Sequence, residues 1–217
     1  MSAAGRVPGI GVVGCGTIAR SQHMLHLARA AGVRLAAAAD PAEEARAAVA
    51  RRHRVPVVVS AEELAARSDV DALLIASPSA LHVEHALLAI ENGKPFYLEK
   101  PLAIDSDGAR RVLDAAAARG VAGCVGFNYR LQPVFAELRR RLAAEELGEL
   151  LAVRTLFVEP LSGSGAGGWR AQRSSGGGVW LDLASHHVDL VRWLTGDEFV
   201  AVAAAEVASL RREHDRA

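Results

Sequence analysis

The 217 residues are 51% hydrophobic, enough apolar surface for a buried core in one or two domains. Lys plus Arg and Asp plus Glu each total 25, so no charge imbalance points to nucleic acid or an anionic membrane. Cys15 and Cys124 make no disulfide framework, the opening residues lack a signal peptide's apolar core, and no apolar run approaches the roughly 20 residues of a membrane span, so the expected setting is the cytoplasm.

Short apolar runs alternate with Ala-rich amphipathic stretches through the first half. Residues 9–14, 33–40, 55–60, 71–78, 95–99 and 121–127 read as strands, and 17–31, 41–53, 61–67, 79–92 and 106–119 as helices. Strands apolar on both faces and separated by helices imply a parallel sheet covered on both sides. Pro41 suits a first helical turn, while Gly93 and Gly120 suit helix ends. The expected fold class is α/β, with a doubly wound domain over 1–127.

After residue 127 the rhythm changes. A helix is expected over 132–146, a strand over 149–160, a Gly/Ser-rich loop over 161–178, a helix over 179–195 and an alternating strand over 198–210. Two strands, even with two helices, make a poor independent core, because a sheet normally needs three or more strands. The region 128–217 therefore reads as an incomplete α/β domain.

The first strand runs into Gly14-x-Gly16-x-x-Ala19. One glycine serves a tight turn, the second admits a pyrophosphate, and the third small residue lets helix and strand pack. Asp40 stands 24 positions beyond Gly16, at the end of the second strand, where a carboxylate can accept hydrogen bonds from an adenosine ribose. It would repel a ribose 2′-phosphate, so NAD is expected over NADP; Arg46, Arg51 and Arg52 further along keep NADP possible. Cys15 reads as a small packing residue.

Glu99-Lys100-Pro101 ends the fifth strand with two charges and a residue that cannot join a sheet ladder, either as a simple strand exit or as the floor of a site. Further on, Asp182, His186 and Asp189 are spaced to share one face of a helix, with His187 turned about 100° away. The stripe is flanked by Trp180, Leu181, Leu183, Leu190, Trp193 and Leu194, which leave little of this helix freely exposed. Buried ionisable groups must be paired or functional.

Four segments, "GVVGCGTIA", "EKPLA", "GFNYR" and "WR" followed by "GGGVWLDLASHHVDLVRWLTG", resemble the Gfo/Idh/MocA family, the relatives of glucose-fructose oxidoreductase and inositol dehydrogenase. The resemblance covers nearly the whole chain. It implies an N-terminal Rossmann domain, a C-terminal α/β domain with a large open sheet, a nicotinamide cofactor and a sugar or polyol substrate. Lys100 matches the family's lysine beside the nicotinamide, and Asp182 and His186 its aspartate and proton-accepting histidine. Gly14, Gly16, Thr17, Ile18, Asp40, Ser77, Glu99, Lys100 and Asn128 form the expected cofactor set; Arg130, Trp169 and Arg170 match pattern positions of a structural kind. No metal is expected. Ala184 stands where many members carry glycine.

The resemblance answers the question of the strand exit, since ligands bind at the carboxyl edge of such sheets, with Lys100 expected to be held there by Glu99 and Pro101. Members of the family are usually longer, so the second domain is expected to lack strands that build a subunit interface, and a homo-oligomer through that sheet is expected. Two other readings stay open: a dinucleotide-binding regulator without turnover, and an inactive or partner-dependent fragment of such an enzyme.

Overall fold

The computed structural model describes residues 6–158 and 176–206. The chain divides into two compact units, Met1–Gly126 and Phe127–Ala217.

In the first unit, β1 (Gly9–Val13), β2 (Arg34–Ala39), β3 (Val57–Val58), β4 (Ala72–Ile75), β5 (Phe96–Leu98) and β6 (Gly123–Val125) form one sheet in the order β3-β2-β1-β4-β5-β6. Every pairing is parallel. A π turn at Ala19–His23 leads into α1 (Met24–Leu27), and α2 (Glu43–His53), α3 (Ala61–Ala65), α4 (His82–Glu91) and α5 (Ser106–Arg119) follow between strands. The strand order reverses at β1, between β2 and β4. In a sheet of this kind the crevice for a ligand opens there, outside the carboxyl ends of the strands.

Period-two alternation explains the two cores. Leu73 and Ile75 of β4 pack on one face with Leu64, Ile90, Leu98 and Val112. Leu74, between them, packs on the other face with Val12, Met24 and Val49. Each such aliphatic side chain, fully buried, contributes about 1.5–3 kcal/mol. The helix ends follow local chemistry. Asp105 accepts a hydrogen bond from the Gly108 N–H at 2.7 Å to open α5, and Gly120 closes it in the left-handed region at φ 63°. Pro41 lies outside the helix expected to contain it: α2 begins at Glu43, after Asp40 Oδ1 accepts the Ala42 N–H at 2.8 Å.

In the second unit a 3₁₀ turn, Asn128–Leu131, precedes α6 (Pro133–Ala143), and a π turn, Trp180–Ala184, leads into α7 (Ser185–Thr195). The helices pack together, with the Arg139 guanidinium 4.6 Å from the centre of the Trp193 ring. The two expected strands of this unit differ from the structure. Over their described parts, 149–158 and 198–206, the backbone joins no ladder among the described residues. Alternation favours extended chain, but a strand exists only when a neighbour supplies complementary N–H and C=O groups. Among the described residues no helix is long and apolar enough to cross a membrane.

Candidate functional site

The turn after β1 is built around Gly14, whose φ is +92°. A Cβ there would lie 2.7 Å from the Ala76 carbonyl oxygen and 2.8 Å from the Ser77 nitrogen, so the chain itself demands glycine. Gly16 is different. A Cβ at Gly16 would meet nothing within 4 Å. The fold itself therefore does not impose a glycine there. Thr17 and Ile18 lie exposed at that helix start.

Asp40 follows β2 and stands against the same turn. Its Oδ2 accepts the Cys15 N–H at 2.7 Å while Oδ1 accepts the Ala42 N–H. The carboxylate thus ties the end of β2 to the glycine turn, with lone pairs remaining on both oxygens. Arg46 donates from Nη1 to the carbonyls of Asp40 and Pro41 at 2.7 and 2.8 Å, clamping the loop beside that carboxylate. Cys15 is fully buried, and burial, assisted by the Asp40 charge, pushes its thiol up to about 12. It is a packing residue, as its small size suggests.

The ends of β4 and β5 lie side by side. Ser77 is buried two residues after β4, with its hydroxyl 2.9 Å from His85 Nδ1 and its carbonyl oxygen 3.0 Å from His82 Nε2. Glu99 follows β5, and its carboxylate lies 2.7 Å from His23 Nε2. Glu99 thus engages His23, beyond the glycine turn. Lys100 is half-buried and joined to Pro101 by a cis peptide bond. Tyr97 stands edge-on to His23 at 5.6 Å between ring centres, and burial followed by the Glu99 charge raises its hydroxyl to about 12. A Cβ at Gly126 would collide with that hydroxyl, which accounts for the glycine of "GFNYR".

Within the second unit the rest of "GFNYR" turns toward α7. Tyr129 stacks on the His186 ring at 4.5 Å and 18°, and Phe127 meets it edge-on at 6.0 Å. Arg130 forms a two-pronged pair with Asp189, Nε to Oδ2 at 2.8 Å and Nη2 to Oδ1. The expected stripe is accordingly divided. Asp189 is buried and serves as an anchor for Arg130, whereas Asp182, in the π turn, and His186 are half-buried. Asn128 is exposed at the start of the 3₁₀ turn. Trp169 and Arg170 lie outside the described residues.

Sequence reasoning missed His23, His82 and His85. Their only signal was an imidazole at an otherwise apolar helix position, which cannot name a partner many residues away. Among the described residues no three His, Cys, Asp or Glu side chains converge to hold a metal ion.

Residues 9–127 match the model of an oxidoreductase family with an NAD-binding Rossmann fold, and residues 135–216 match a GFO/IDH/MocA C-terminal domain. The chain is 34% identical over 208 residues to a 1,5-anhydro-D-fructose reductase of Ensifer adhaerens, covering 94% of this chain and 61% of the relative. It is 35% identical over 197 residues to inositol 2-dehydrogenase 4 of Saccharopolyspora erythraea, covering 89% and 56%. Among solved structures, the WlbA dehydrogenase from Bordetella pertussis, in complex with NADH and UDP-GlcNAcA, superimposes with a TM-score of 0.80 at 27% identity over 88% of this chain and 56% of that one. The chain thus spans roughly three fifths or less of the length of these relatives.

Proposed function

The chain belongs to the Gfo/Idh/MocA oxidoreductase family, with an NAD-binding Rossmann domain and a C-terminal domain of that family, and from this premise we propose that it transfers hydride between a secondary alcohol of a sugar or polyol and a nicotinamide cofactor, NAD in preference to NADP. The observation that carries the cofactor half is the pairing of an open Gly16 with a carboxylate, Asp40, held against the same turn. A pyrophosphate accepts hydrogen bonds from the N–H groups of the helix start, and a ribose diol donates to the carboxylate.

Bound NAD supplies the hydride acceptor, C4 of its nicotinamide ring. The chain's own residues handle the alcohol's proton and charge. His186 takes the hydroxyl proton as the C–H bond breaks, a role for which an imidazole is the usual side chain near neutrality. Stacking against Tyr129 and the edge contact with Phe127 hold its ring plane within the second unit. Asp182 favours the protonated imidazole, and Lys100 stabilises the negative charge that develops on the oxygen. Ser77, Glu99 and Asn128 complete the proposed cofactor contacts, with Thr17 and Ile18 at the helix start.

The test is calorimetric titration with NAD and NADP, followed by turnover on a panel of sugars and polyols. Tighter binding of NAD together with reduction of NAD by at least one secondary alcohol is expected. Binding without turnover on any member leaves a dinucleotide-binding protein; absence of binding removes the proposal altogether.

A further inference from the structure

His82 opens α4 and is deeply enclosed at the carboxyl edge of the sheet, 1% exposed. Its two ring nitrogens face two backbone carbonyls. Nδ1 lies 2.6 Å from the Pro101 oxygen, and Nε2 lies 3.0 Å from the Ser77 oxygen. One ring therefore spans the chain beyond β4 and the chain beyond β5. His85, three residues further along α4, meets the Ser77 hydroxyl, so the hydroxyl and carbonyl of Ser77 are both met from one helix.

The sheet order gives this bridge its meaning. A dinucleotide lying across the strand-order reversal places its adenosine half over β1 and β2 and its second mononucleotide over the strands on the other side. Those strands are β4 and β5. Asp40 and Gly16 belong to the first half; Ser77, Lys100 and Pro101 belong to the second. No hydrogen bond of His82 touches the adenosine side.

We propose that His82 is a positioning residue for the nicotinamide half of the cofactor, donating from Nδ1 to the Pro101 carbonyl while its ring rests against the Ser77 carbonyl, and so setting the Lys100–Pro101 segment against the end of β4. A carbonyl oxygen only accepts, so the ring must donate. Burial disfavours the charged ring, and Lys100 opposes it further, while the two carbonyls and Glu99 favour it; burial prevails and the pKa falls below its ordinary value. The neutral ring has one N–H, and the shorter contact assigns it to Nδ1, donating to Pro101. The bond to the lysine-bearing segment is thereby the one that a replacement must preserve.

The inference rests on the NAD-binding reading, and its test separates the two. NAD and ADP, which carries only the adenosine half and the pyrophosphate, are titrated into the unmodified chain and into His82→Ala. Loss of one buried hydrogen bond is expected to weaken NAD about tenfold while ADP changes by less than about twofold. Equal weakening of both ligands, or no change in either, overturns the inference and leaves a structural histidine. If His82→Ala does not fold, His82→Asn and His82→Gln decide. Asparagine places a donor near Nδ1 and glutamine near Nε2, so the asparagine variant should hold NAD tighter; equal affinities refute the role. An unmodified chain that binds neither ligand fails the NAD-binding reading itself, and the inference falls with it.

Discussion

His23 Nε2 lies 2.7 Å from the Glu99 carboxylate, which fastens the helix beyond the glycine turn to the end of β5 across 76 positions of sequence. Both side chains are largely enclosed, at 16% and 19% exposure. Hydrogen bonds to charged groups in such surroundings contribute about 1.5–3 kcal/mol. His23→Ala is expected to destabilise the first unit by about 2 kcal/mol in urea unfolding, and Glu99→Gln, which keeps an acceptor, by less. A His23→Ala midpoint equal to that of the unmodified protein refutes the tie.

Asp40 bears on cofactor choice. The unmodified chain is expected to bind NAD more tightly than NADP, and Asp40→Ala to weaken NAD and narrow the difference. The same substitution leaves the Cys15 and Ala42 amides without their present acceptor, so a fall in stability should accompany it. Calorimetry showing NADP bound more tightly by the unmodified chain rejects the assignment.

Lys100 and His186 are expected to govern turnover. Each alanine variant should lower turnover by about 10²–10⁴-fold, the usual contribution of acid–base groups, with little change in NAD affinity. Near-normal rates in both leave the proposed chemistry without support.

The buried histidines set an acid limit. His82 and His85 both have their pKa lowered from the ordinary 6.5, in each case chiefly by burial. Above that value neither the folded nor the unfolded chain protonates them, and their contribution to stability is fully present. As pH falls below it, the unfolded chain takes up protons that the folded chain refuses, and stability is lost. Unfolding free energy should therefore hold level above about pH 6.5 and decline below it, with a shallower decline in His85→Asn. An unchanged acid slope in that variant counts against the burial argument.

The second unit should self-associate. Leu151, Val158, Val200 and Val202 are 85%, 82%, 99% and 77% exposed on chain that joins no described ladder. Exposed apolar side chains on chain without a pairing partner favour association with another copy. Light scattering is expected to show association that grows with concentration and falls in a Val200→Lys, Val202→Lys variant; a monomer at every concentration contradicts this.

What could be read in advance was local. Gly14 and Asp40 were legible because turn geometry and strand ends write themselves into neighbouring residues. Leu73, Leu74 and Ile75 likewise announced a strand buried on both faces. The bridges from His23 to Glu99 and from His82 to Pro101 were not legible, since each depends on which strand ends the sheet order makes neighbours. Asp189 looked equivalent to Asp182 on helical spacing, and only Arg130, 59 residues earlier, separates their roles. The alternation of 149–160 and 198–210 suggested strands, yet it carried no information about whether a partner strand lies alongside, and the described parts join no ladder.

The pair between Arg130 and Asp189 has a mechanical effect as well as an electrostatic one. A single hydrogen bond lets a helix roll about its long axis, pivoting on one point. A planar guanidinium meeting a planar carboxylate through two prongs resists that torsion. His186 sits three residues before Asp189 on the same helix, so its azimuth is set by the same brace, and Tyr129, adjacent to Arg130, stacks on its ring. The short segment 128–131 thus acts as a jig: it fixes the bearing of an imidazole carried by a different helix.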